Sequence, residues 1–271
     1  MNTHEILVTG GTGSLGSRVV NRLSEAGENV RVMSRYWHAN TIRGDLLTGE
    51  GLEEAVEGVN TIIHCASSSL RKTRQVDVDG TRRLLQAAER AGVSHVLFIS
   101  IVGVDRNPYF PYYRMKLETE RIIEHFEVPW TILRATQFHG FVLRLIQALD
   151  RLPMMVAPRG FLLQPIDVGE VADRSAELAL AGPAGRAPDV GGPEVRAFAD
   201  LARAYSEAAG RRRRVVEVSL LGKVSRALRE GAQTAPDHRY GKIRWEEFLE
   251  SAIHQDQGER DYEGRSFRGK R

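Results

Sequence analysis

The segment YYRMKLETE places three residues that can take part in proton chemistry at helical spacing. Tyr112, Lys116 and Glu120 are four positions apart, so they lie along one face of a predicted helix. A tyrosine hydroxyl can give or take a proton, and a lysine ammonium one turn away favours the phenolate. The same spacing is common on exposed helices, where it has only a structural role. The pattern favours Tyr112 as a general acid or base assisted by Lys116. Tyr113 is a weaker candidate for the same catalytic role.

A glycine-rich stretch, VTGGTGSLGSRVV, begins at residue 8 between an apolar segment and a helical pattern. Gly10, Gly13 and Gly16 form Gly-x-x-Gly-x-x-Gly, and Gly11 adds an overlapping Gly-x-Gly-x-x-Gly. After a strand, such glycines allow a tight turn, a close approach of the backbone to a pyrophosphate, and close packing of the next helix. Phosphates then meet the amino end of that helix. We predict a dinucleotide site here, the alternative being a tight turn without a ligand.

The end of the second predicted strand favours a phosphorylated ribose. A dinucleotide fold specific for NAD has an acidic residue there, whereas VMSRYW has Ser34 and Arg35. A guanidinium can bind a 2′-phosphate through charge-assisted hydrogen bonds, so we predict NADP(H) in preference to NAD(H). The alternative is that Arg35 stacks on the adenine or faces solvent. Asp45, followed by Leu46 in RGDL, is placed to reach the adenine edge.

The fourth predicted strand ends with Cys65, Ala66 and Ser67, which we expect beside the cofactor. Cys65 is interpreted as a small buried residue rather than as a reactive thiol. His, Cys and acidic residues have no metal-ligand spacing in this sequence, and the Gly-x-Ser-x-Gly element of hydrolases is absent from it. The sequence therefore predicts neither a metal centre nor a serine hydrolase.

Strand and helix patterns alternate through the first half of the chain. The predicted strands are EILVTG, NVRVMSR, TIRGDL, NTIIHCAS, SHVLFIS and WTILRATQF, and helical patterns separate most of them. Parallel strands need such crossovers, and these are right-handed. The fold class predicted is α/β, a Rossmann-type doubly wound parallel sheet with a small C-terminal substrate lobe.

The latter half of the chain is less regular. We expect one NAD(P)-binding domain over residues 1–255, with the substrate lobe built mainly from 137–164 and 190–250, and a flexible tail over 256–271. Gln137 and His139 could line the substrate pocket or be ordinary buried residues. The RRRR run at 211–214 is interpreted as a solvated connection rather than a nucleic-acid patch.

Composition restricts the class of protein. The 271 residues are 42% hydrophobic and 27% charged, with a net charge of +3 and one cysteine. These values are typical of a globular domain in a reducing compartment, and the chain has no signal peptide pattern and no apolar run long enough to cross a membrane. We predict a cytoplasmic protein with a small-molecule substrate and without a nucleic-acid or membrane partner. The sequence leaves open whether the protein forms a homodimer.

Taken in order, TGGTGSLG, the strand-end arginine, GDL, HVLFIS and YYRMKLETE resemble the atypical and extended short-chain dehydrogenase/reductase superfamily, most closely its NmrA-like, NAD(P)-binding branch. PWTILRATQFHGF and QPIDVGEVAD extend the resemblance to roughly residues 5–250. It implies that Thr12, Gly13, Ser14 and Leu15 contact the pyrophosphate, that Arg35 contacts the 2′-phosphate and Asp45 the adenine, and that Tyr112 and Lys116 stand at the reacting centre, where Lys116 also holds the nicotinamide ribose.

Two positions depart from the pattern of that superfamily. Active extended members usually have Ser or Thr about two residues beyond the fifth strand, where this chain has Val102, and the nearest hydroxyl is Ser100. Either Ser100 substitutes as a catalytic residue, or the site works without a serine. Asp77 stands where relatives often have an asparagine that organises a proton relay.

The leading functional hypothesis is an NADP(H)-dependent oxidoreductase that transfers hydride between the nicotinamide and a small carbonyl or an activated double bond. The alternative is a non-catalytic regulatory protein that senses NADP(H). Val102, at the position of the usual Ser or Thr, is the feature that supports this alternative. A nucleotide-sugar epimerase or dehydratase is a third possibility, and the short segment from Val102 to Tyr112 argues against it.

Overall fold

The computed structural model describes residues 4–36, 39–68, 73–151, 154–211 and 213–253. The predicted tail over 256–271 lies outside these residues, as does Arg212 of the RRRR run. The strands are β1 Glu5–Thr9, β2 Asn29–Ser34, β3 Thr41–Arg43, β4 Thr61–His64, β5 His95–Ile101, β6 Trp130–Ala135, β7 Met155–Pro158, β8 Leu162–Leu163, β9 Gly185–Arg186, β10 Arg196–Ala197 and β11 Val215–Val218. The α-helices are α1 Gly16–Glu25, α2 Leu52–Val56, α3 Thr81–Arg90, α4 Pro111–His125, α5 His139–Asp150, α6 Val168–Ala181, α7 Phe198–Ala208 and α8 Lys223–Arg229.

The chain divides into two compact units. The first contains Met1–Thr136 and Val168–Val190, and the second contains Gln137–Asp167 and Gly191–Arg271. The first unit is built on a seven-stranded sheet of order β3-β2-β1-β4-β5-β6-β9, in which every strand pair is parallel. The predicted Rossmann-type fold class is confirmed.

Helices cover both faces of this sheet. Helices α1 and α6 pack together on one face, and α2, α3 and α4 pack in sequence on the other. Because both faces are covered, the inner strands are buried along almost their whole length: all four residues of β4 are buried, as are six of the seven in β5. The core on the α3 side includes Leu7, Ile62 and Phe98.

The strand order reverses between β1 and β4. The chain runs outward from β1 through β2 to β3, then returns to β4 on the other side of β1. In doubly wound sheets such a reversal opens a crevice outside the carboxyl ends of the two strands, where ligands bind. In this chain those ends are Thr9 and His64, which are paired in register.

A π-helical segment, Arg74–Gly80, leads directly into α3 and was not predicted from the sequence. Gly80 allows the close packing there, because a Cβ atom on it would lie 2.7 Å from the Leu46 carbonyl oxygen. The Thr81 hydroxyl donates to the Asp77 carbonyl oxygen at 2.6 Å, which holds the wider turn in place. Such segments are frequent at functional sites.

The second unit has its own apolar core. Strands β7 and β11 pair in parallel, β8 and β10 pair antiparallel, and α5, α7 and a helical stretch over 245–253 surround them. Its core includes Ile146, Leu201 and Trp245. The role of this unit in binding a substrate stays a prediction. Among the described residues, no helix combines the length and the apolar character needed to span a membrane.

Candidate functional site

The glycine-rich loop joins β1 to α1 in a very tight turn. Gly10 has a φ of +65°, and a Cβ atom on it would lie 2.8 Å from the backbone of Ala66. A Cβ atom on Gly16 would lie 2.2 Å from the Gly10 carbonyl oxygen, so no side chain fits there. These contacts bring the amino end of α1 against the carboxyl end of β1.

The outer surface of this loop suits an anion. Thr12, Gly13 and Ser14 are exposed, whereas Leu15 is buried. The first turn of α1 contains no acidic residue, and the Arg18 guanidinium donates to the Ser14 carbonyl oxygen at 2.7 Å. Because the helix amino end carries partial positive charge, phosphate groups fit this loop electrostatically.

A neutral, buried histidine lies between two threonines at the carboxyl ends of β1 and β4. His64 Nδ1 lies 2.7 Å from the Thr9 hydroxyl, and its Nε2 lies 2.8 Å from the Thr81 hydroxyl. Burial, with a smaller effect of the Lys116 charge, lowers the pKa of His64 to about 3. Burial also raises the pKa of the Cys65 thiol to about 12. Both side chains are therefore uncharged at neutral pH, which agrees with a structural role.

The residues predicted for the adenosine end follow β2 and β3. Ser34 is buried and its hydroxyl accepts from the Tyr36 amide at 3.3 Å, whereas Arg35 is exposed with its guanidinium 5.6 Å from the Tyr36 ring centre. Asp45 accepts the Leu47 amide at 2.8 Å and so shapes the turn after β3. The neighbouring Leu46 belongs to the core of the first unit. Among these residues at the adenosine end, Arg35 has the exposed charged side chain.

The Tyr112 hydroxyl is part of a hydrogen-bonded chain. Tyr112 is in the first turn of α4, which begins with Pro111, and its hydroxyl lies 2.9 Å from the Ser67 hydroxyl. Ser67 donates to Asp77 Oδ2 at 2.6 Å, and the Ser68 amide donates to Asp77 Oδ1 at 2.8 Å. The predicted acid or base thus lies at the carboxyl end of β4.

Lys116 lies one turn along α4 and is buried. Its ammonium donates to the Ile99 carbonyl oxygen at 3.2 Å and lies 4.6 Å from the centre of the Phe98 ring. The same ammonium influences the ionisation of His64 and Cys65, so its charge lies close to the end of β4. Tyr112 and Lys116 therefore face the same edge of the sheet.

Tyr113, the alternative to Tyr112, points into the protein. It is buried, and its ring packs edge-on against Phe110 with 5.1 Å between ring centres. Burial raises the pKa of its hydroxyl to about 12, because the phenolate would lose hydration. This environment makes Tyr113 a poor acid or base.

Ser100 and Glu120 belong to a buried ionic cluster. The Ser100 hydroxyl donates to Glu120 Oε1, and the carboxylate also binds Arg134 and Arg186. Burial alone would lower the pKa of Arg134, but its bonds to Glu120 raise it, so the guanidinium stays charged. The catalytic role predicted for Ser100 stays a prediction, although its hydroxyl is used in this cluster. Val102 is fully buried.

Gln137 and His139 lie within the second unit. The Gln137 side chain donates to the Gln233 carbonyl oxygen at 2.8 Å, and the His139 ring stacks on Phe248 with 4.9 Å between ring centres. Burial lowers the pKa of His139 to about 4, so the ring is neutral. Gln137 is half-buried, and both ring nitrogens of the buried His139 lack a hydrogen-bond partner among the described residues, so a place for either side chain in a substrate pocket stays a prediction.

Sequence reasoning did not find the link between Ser67, Tyr112 and Asp77. Ser67 was predicted only to contact the cofactor, and Asp77 was singled out only by resemblance. The function of Glu120 as an ion-pair centre was also missed. One signal was available in the sequence: Asp77 and Glu120 each occupy a position that the helix pattern predicts to be buried. A buried carboxylate needs a hydrogen-bond or charged partner.

Comparison with known proteins identifies the family. A family model described as NAD(P)H-binding matches residues 10–140. The chain is also 30% identical to a (4-alkanoyl-5-oxo-2,5-dihydrofuran-3-yl)methyl phosphate reductase of Streptomyces griseus subsp. griseus, and the match covers 93% of this chain and 88% of that protein. The chain belongs to the NAD(P)H-binding family. This membership confirms the NAD(P)-binding part of the predicted resemblance and agrees with the glycine-rich loop described above.

Other relatives of this NAD(P)H-binding protein differ in their reported roles. It is 29% identical to the photosystem II assembly factor Ycf39 of Trieres chinensis, over 62% of this chain and 57% of that protein. The matches with the first three curated relatives span between 33% and 57% of those proteins. An NADPH-dependent quinone oxidoreductase of Escherichia coli, solved with NADPH, has the same fold, with a TM-score of 0.76, 17% identity, and coverage of 92% of this chain and 99% of that one.

Proposed function

We propose that the protein is an NADP(H)-dependent oxidoreductase that transfers hydride between the nicotinamide and a small carbonyl or activated double-bond substrate. The observation that carries this proposal is the position of the Tyr112 hydroxyl. It lies at the carboxyl end of β4, hydrogen-bonded to Ser67 at 2.9 Å, beside the point where the strand order reverses. A proton-transfer group at the ligand crevice is what a reductase needs and a purely structural helix does not.

The chain's own residues fit a dinucleotide. The loop after β1 excludes side chains at Gly10 and Gly16, as a close pyrophosphate requires, and we assign the phosphate contacts to Thr12, Gly13, Ser14 and Leu15. When bound, the dinucleotide supplies or accepts the hydride. The bound dinucleotide would be surrounded by residues of this loop and of the end of β4, namely Gly10, Gly16, Cys65, Ala66 and Ser67.

We assign proton transfer to Tyr112, and cofactor binding and charge stabilisation to Lys116. Tyr112 gives a proton to the substrate oxygen in reduction and takes one in oxidation. Lys116 carries three ammonium protons, of which one is donated to Ile99, and we expect the others to bind ribose hydroxyls. Its positive charge at the end of β4 also stabilises negative charge that develops on the Tyr112 oxygen.

The enzymatic proposal is tested by turnover with matched tyrosine variants. Purified protein is mixed with NADPH and a panel of aldehydes, ketones, quinones and enones, and loss of the reduced nicotinamide absorbance is followed. Tyr112→Phe should lower kcat at least about 100-fold, while Tyr113→Phe, which changes the buried neighbour, should not. No turnover on the whole panel, with tight NADPH binding retained, would refute the proposal.

The cofactor preference is tested at Arg35. Because a charge-assisted bond to a phosphate contributes about 1.5–3 kcal/mol, Arg35→Ala should weaken NADPH binding about 10-fold to 100-fold and leave NADH binding unchanged. Arg43→Ala is the control, since this exposed arginine follows on the next strand and pairs with Glu50 at 3.4 Å. Equal loss of NADPH and NADH affinity in Arg35→Ala would remove the 2′-phosphate assignment.

A second candidate is a non-catalytic protein that binds NADP(H) and acts on a protein partner. Two observations favour it: the buried Val102 where active relatives have a hydroxyl, and the likeness to photosystem II assembly factors. It predicts NADPH binding that Tyr112→Phe does not change and no turnover. The same panel therefore separates the two candidates.

A further inference from the structure

The Ser67 hydroxyl lies between the Tyr112 hydroxyl and the Asp77 carboxylate. It is 2.9 Å from the first and 2.6 Å from the second. The three residues come from different elements: Ser67 follows β4, Asp77 is in the π-helical segment, and Tyr112 is in the first turn of α4. Their meeting is therefore a product of the tertiary fold.

Asp77 is held by hydrogen bonds from several elements. Its side chain is buried, and the Ser68 amide donates to the carboxylate oxygen that Ser67 does not bind. Its backbone carbonyl oxygen accepts from the Thr81 hydroxyl at 2.6 Å and from the Thr119 hydroxyl at 2.9 Å. These bonds position both the backbone and the carboxylate of Asp77 beside Ser67.

The chemistry of the groups gives the chain a direction. A carboxylate only accepts hydrogen bonds, so Ser67 must give its single proton to Asp77. The Ser67 oxygen can then only accept from its other neighbour, and Tyr112 must be the donor. The order of donation runs from Tyr112 to Ser67 to Asp77.

We propose that Ser67 and Asp77 form the proton relay of Tyr112, so that Ser67 supplies the hydroxyl that position 102 lacks. This inference rests on the proposed oxidoreductase function. In alcohol oxidation, the substrate O–H bond breaks and its proton goes to the Tyr112 oxygen. The Tyr112 proton passes to Ser67, and the Ser67 proton passes to Asp77 Oδ2. The substrate carbon loses a hydride, with two electrons, to the nicotinamide dinucleotide. In reduction each transfer is reversed.

The geometry explains why Val102 does not exclude catalysis. Val102 is fully buried and Ser100 is bonded to Glu120, so neither is placed to donate to a substrate. Ser67 is exposed, and it already touches the Tyr112 oxygen. Solvent protons can therefore reach the relay through Ser67 between turnovers.

The first test needs neither dinucleotide nor substrate. With 13C-labelled tyrosine, the NMR signal of the ring carbon that bears the Tyr112 hydroxyl is assigned by its loss in Tyr112→Phe. This signal should move in Ser67→Ala, because the hydroxyl loses its acceptor, and should stay in place in Ser94→Ala. Ser94 is a suitable control, since this exposed serine donates to the Asn60 carbonyl oxygen at the opposite end of β5. An unmoved signal in Ser67→Ala overturns the hydrogen-bonded chain.

The second test separates proton transfer from structure. Ser67→Ala should lower kcat about 100-fold, an effect far larger than any change in the Kd for NADPH, and Ser67→Thr should restore most of the rate. Asp77→Asn cannot take a proton, and its NH2 group would face Ser67 because the Ser68 amide needs the one remaining acceptor oxygen, so its kcat should fall at least about 10-fold.

Failure of the relay and failure of the proposed function give different results. An active wild type with a normal kcat in Ser67→Ala or in Asp77→Asn overturns the relay alone. A wild type without turnover on the whole panel overturns the oxidoreductase proposal and the relay together, whatever the NMR signal does.

Discussion

Replacing Glu120 by glutamine removes a fully buried charge that holds helix α4 against the sheet. The carboxylate accepts from Arg134 Nε at 2.9 Å and from its Nη2 at 2.7 Å, and from Arg186 at 3.0 Å. Ser100 donates to it as well. A glutamine of the same shape keeps one acceptor oxygen, but its NH2 group then faces guanidinium donors.

The expected loss of stability depends on the acidic partners and the solvent contact that Arg134 and Arg186 retain in the variant. Removing one member of a buried ion pair costs about 3–5 kcal/mol, because the other charge is left buried. The Arg134 side chain is 13% exposed and keeps Asp105 at 3.0 Å, and Arg186 is 43% exposed and keeps Glu124 at 2.6 Å. Partial solvation and these remaining partners favour the lower end of the range, about 3 kcal/mol.

The measurement is urea unfolding followed by far-ultraviolet circular dichroism at pH 7. Glu118→Gln is the matched control, because Glu118 is on the same helix and binds Arg74 through two bonds of 2.7 Å at the exposed surface. Exposed pairs contribute little, so the control should unfold near the wild-type midpoint. A loss below about 1 kcal/mol for Glu120→Gln, or one equal to the control, would refute the assignment of Glu120 as the anchor of α4.

Two further perturbations follow from the loop and from the buried histidines. Gly16→Ala should abolish dinucleotide binding in a fluorescence titration, because its Cβ atom would lie 2.2 Å from the Gly10 carbonyl oxygen; Gly140→Ala, where nothing lies within 4 Å, should bind normally, and equal binding by both would contradict this account. The free energy of unfolding should fall as the pH is lowered from 7 to 5, since His64 and His139 have pKa values of about 3 and about 4 when folded and 6.5 when unfolded, so only the unfolded chain gains these protons. Each histidine accounts for about 2 kcal/mol of this loss, and His64→Gln should reduce the pH dependence by that amount in urea titrations; an unchanged slope would rule out a neutral buried His64.

Local patterns in the sequence predicted the parts of the site that depend on neighbours in the chain. The glycine spacing, the apolar strands and the four-residue spacing of Tyr112 and Lys116 each depend on one element and its backbone geometry. The need for crossovers makes the strands parallel, so their carboxyl ends share one edge of the sheet, and that edge was also predictable, whereas the order of the strands was not predicted.

The pairing of side chains across elements was decided only by the tertiary structure. Ser67 and Tyr112 are 45 positions apart, and Ser100 and Glu120 are 20 apart. Whether such hydroxyls bind a tyrosine or a carboxylate depends on the register of β4 and β5 against α4, and on a π-helical segment that has no simple sequence signal. The sequence by itself determined the fold, the dinucleotide loop and the chemical types available at the crevice. The packing of three separate elements decided that Ser67, rather than Ser100, touches Tyr112, because a hydrogen bond depends on a few tenths of an ångström that no local pattern specifies.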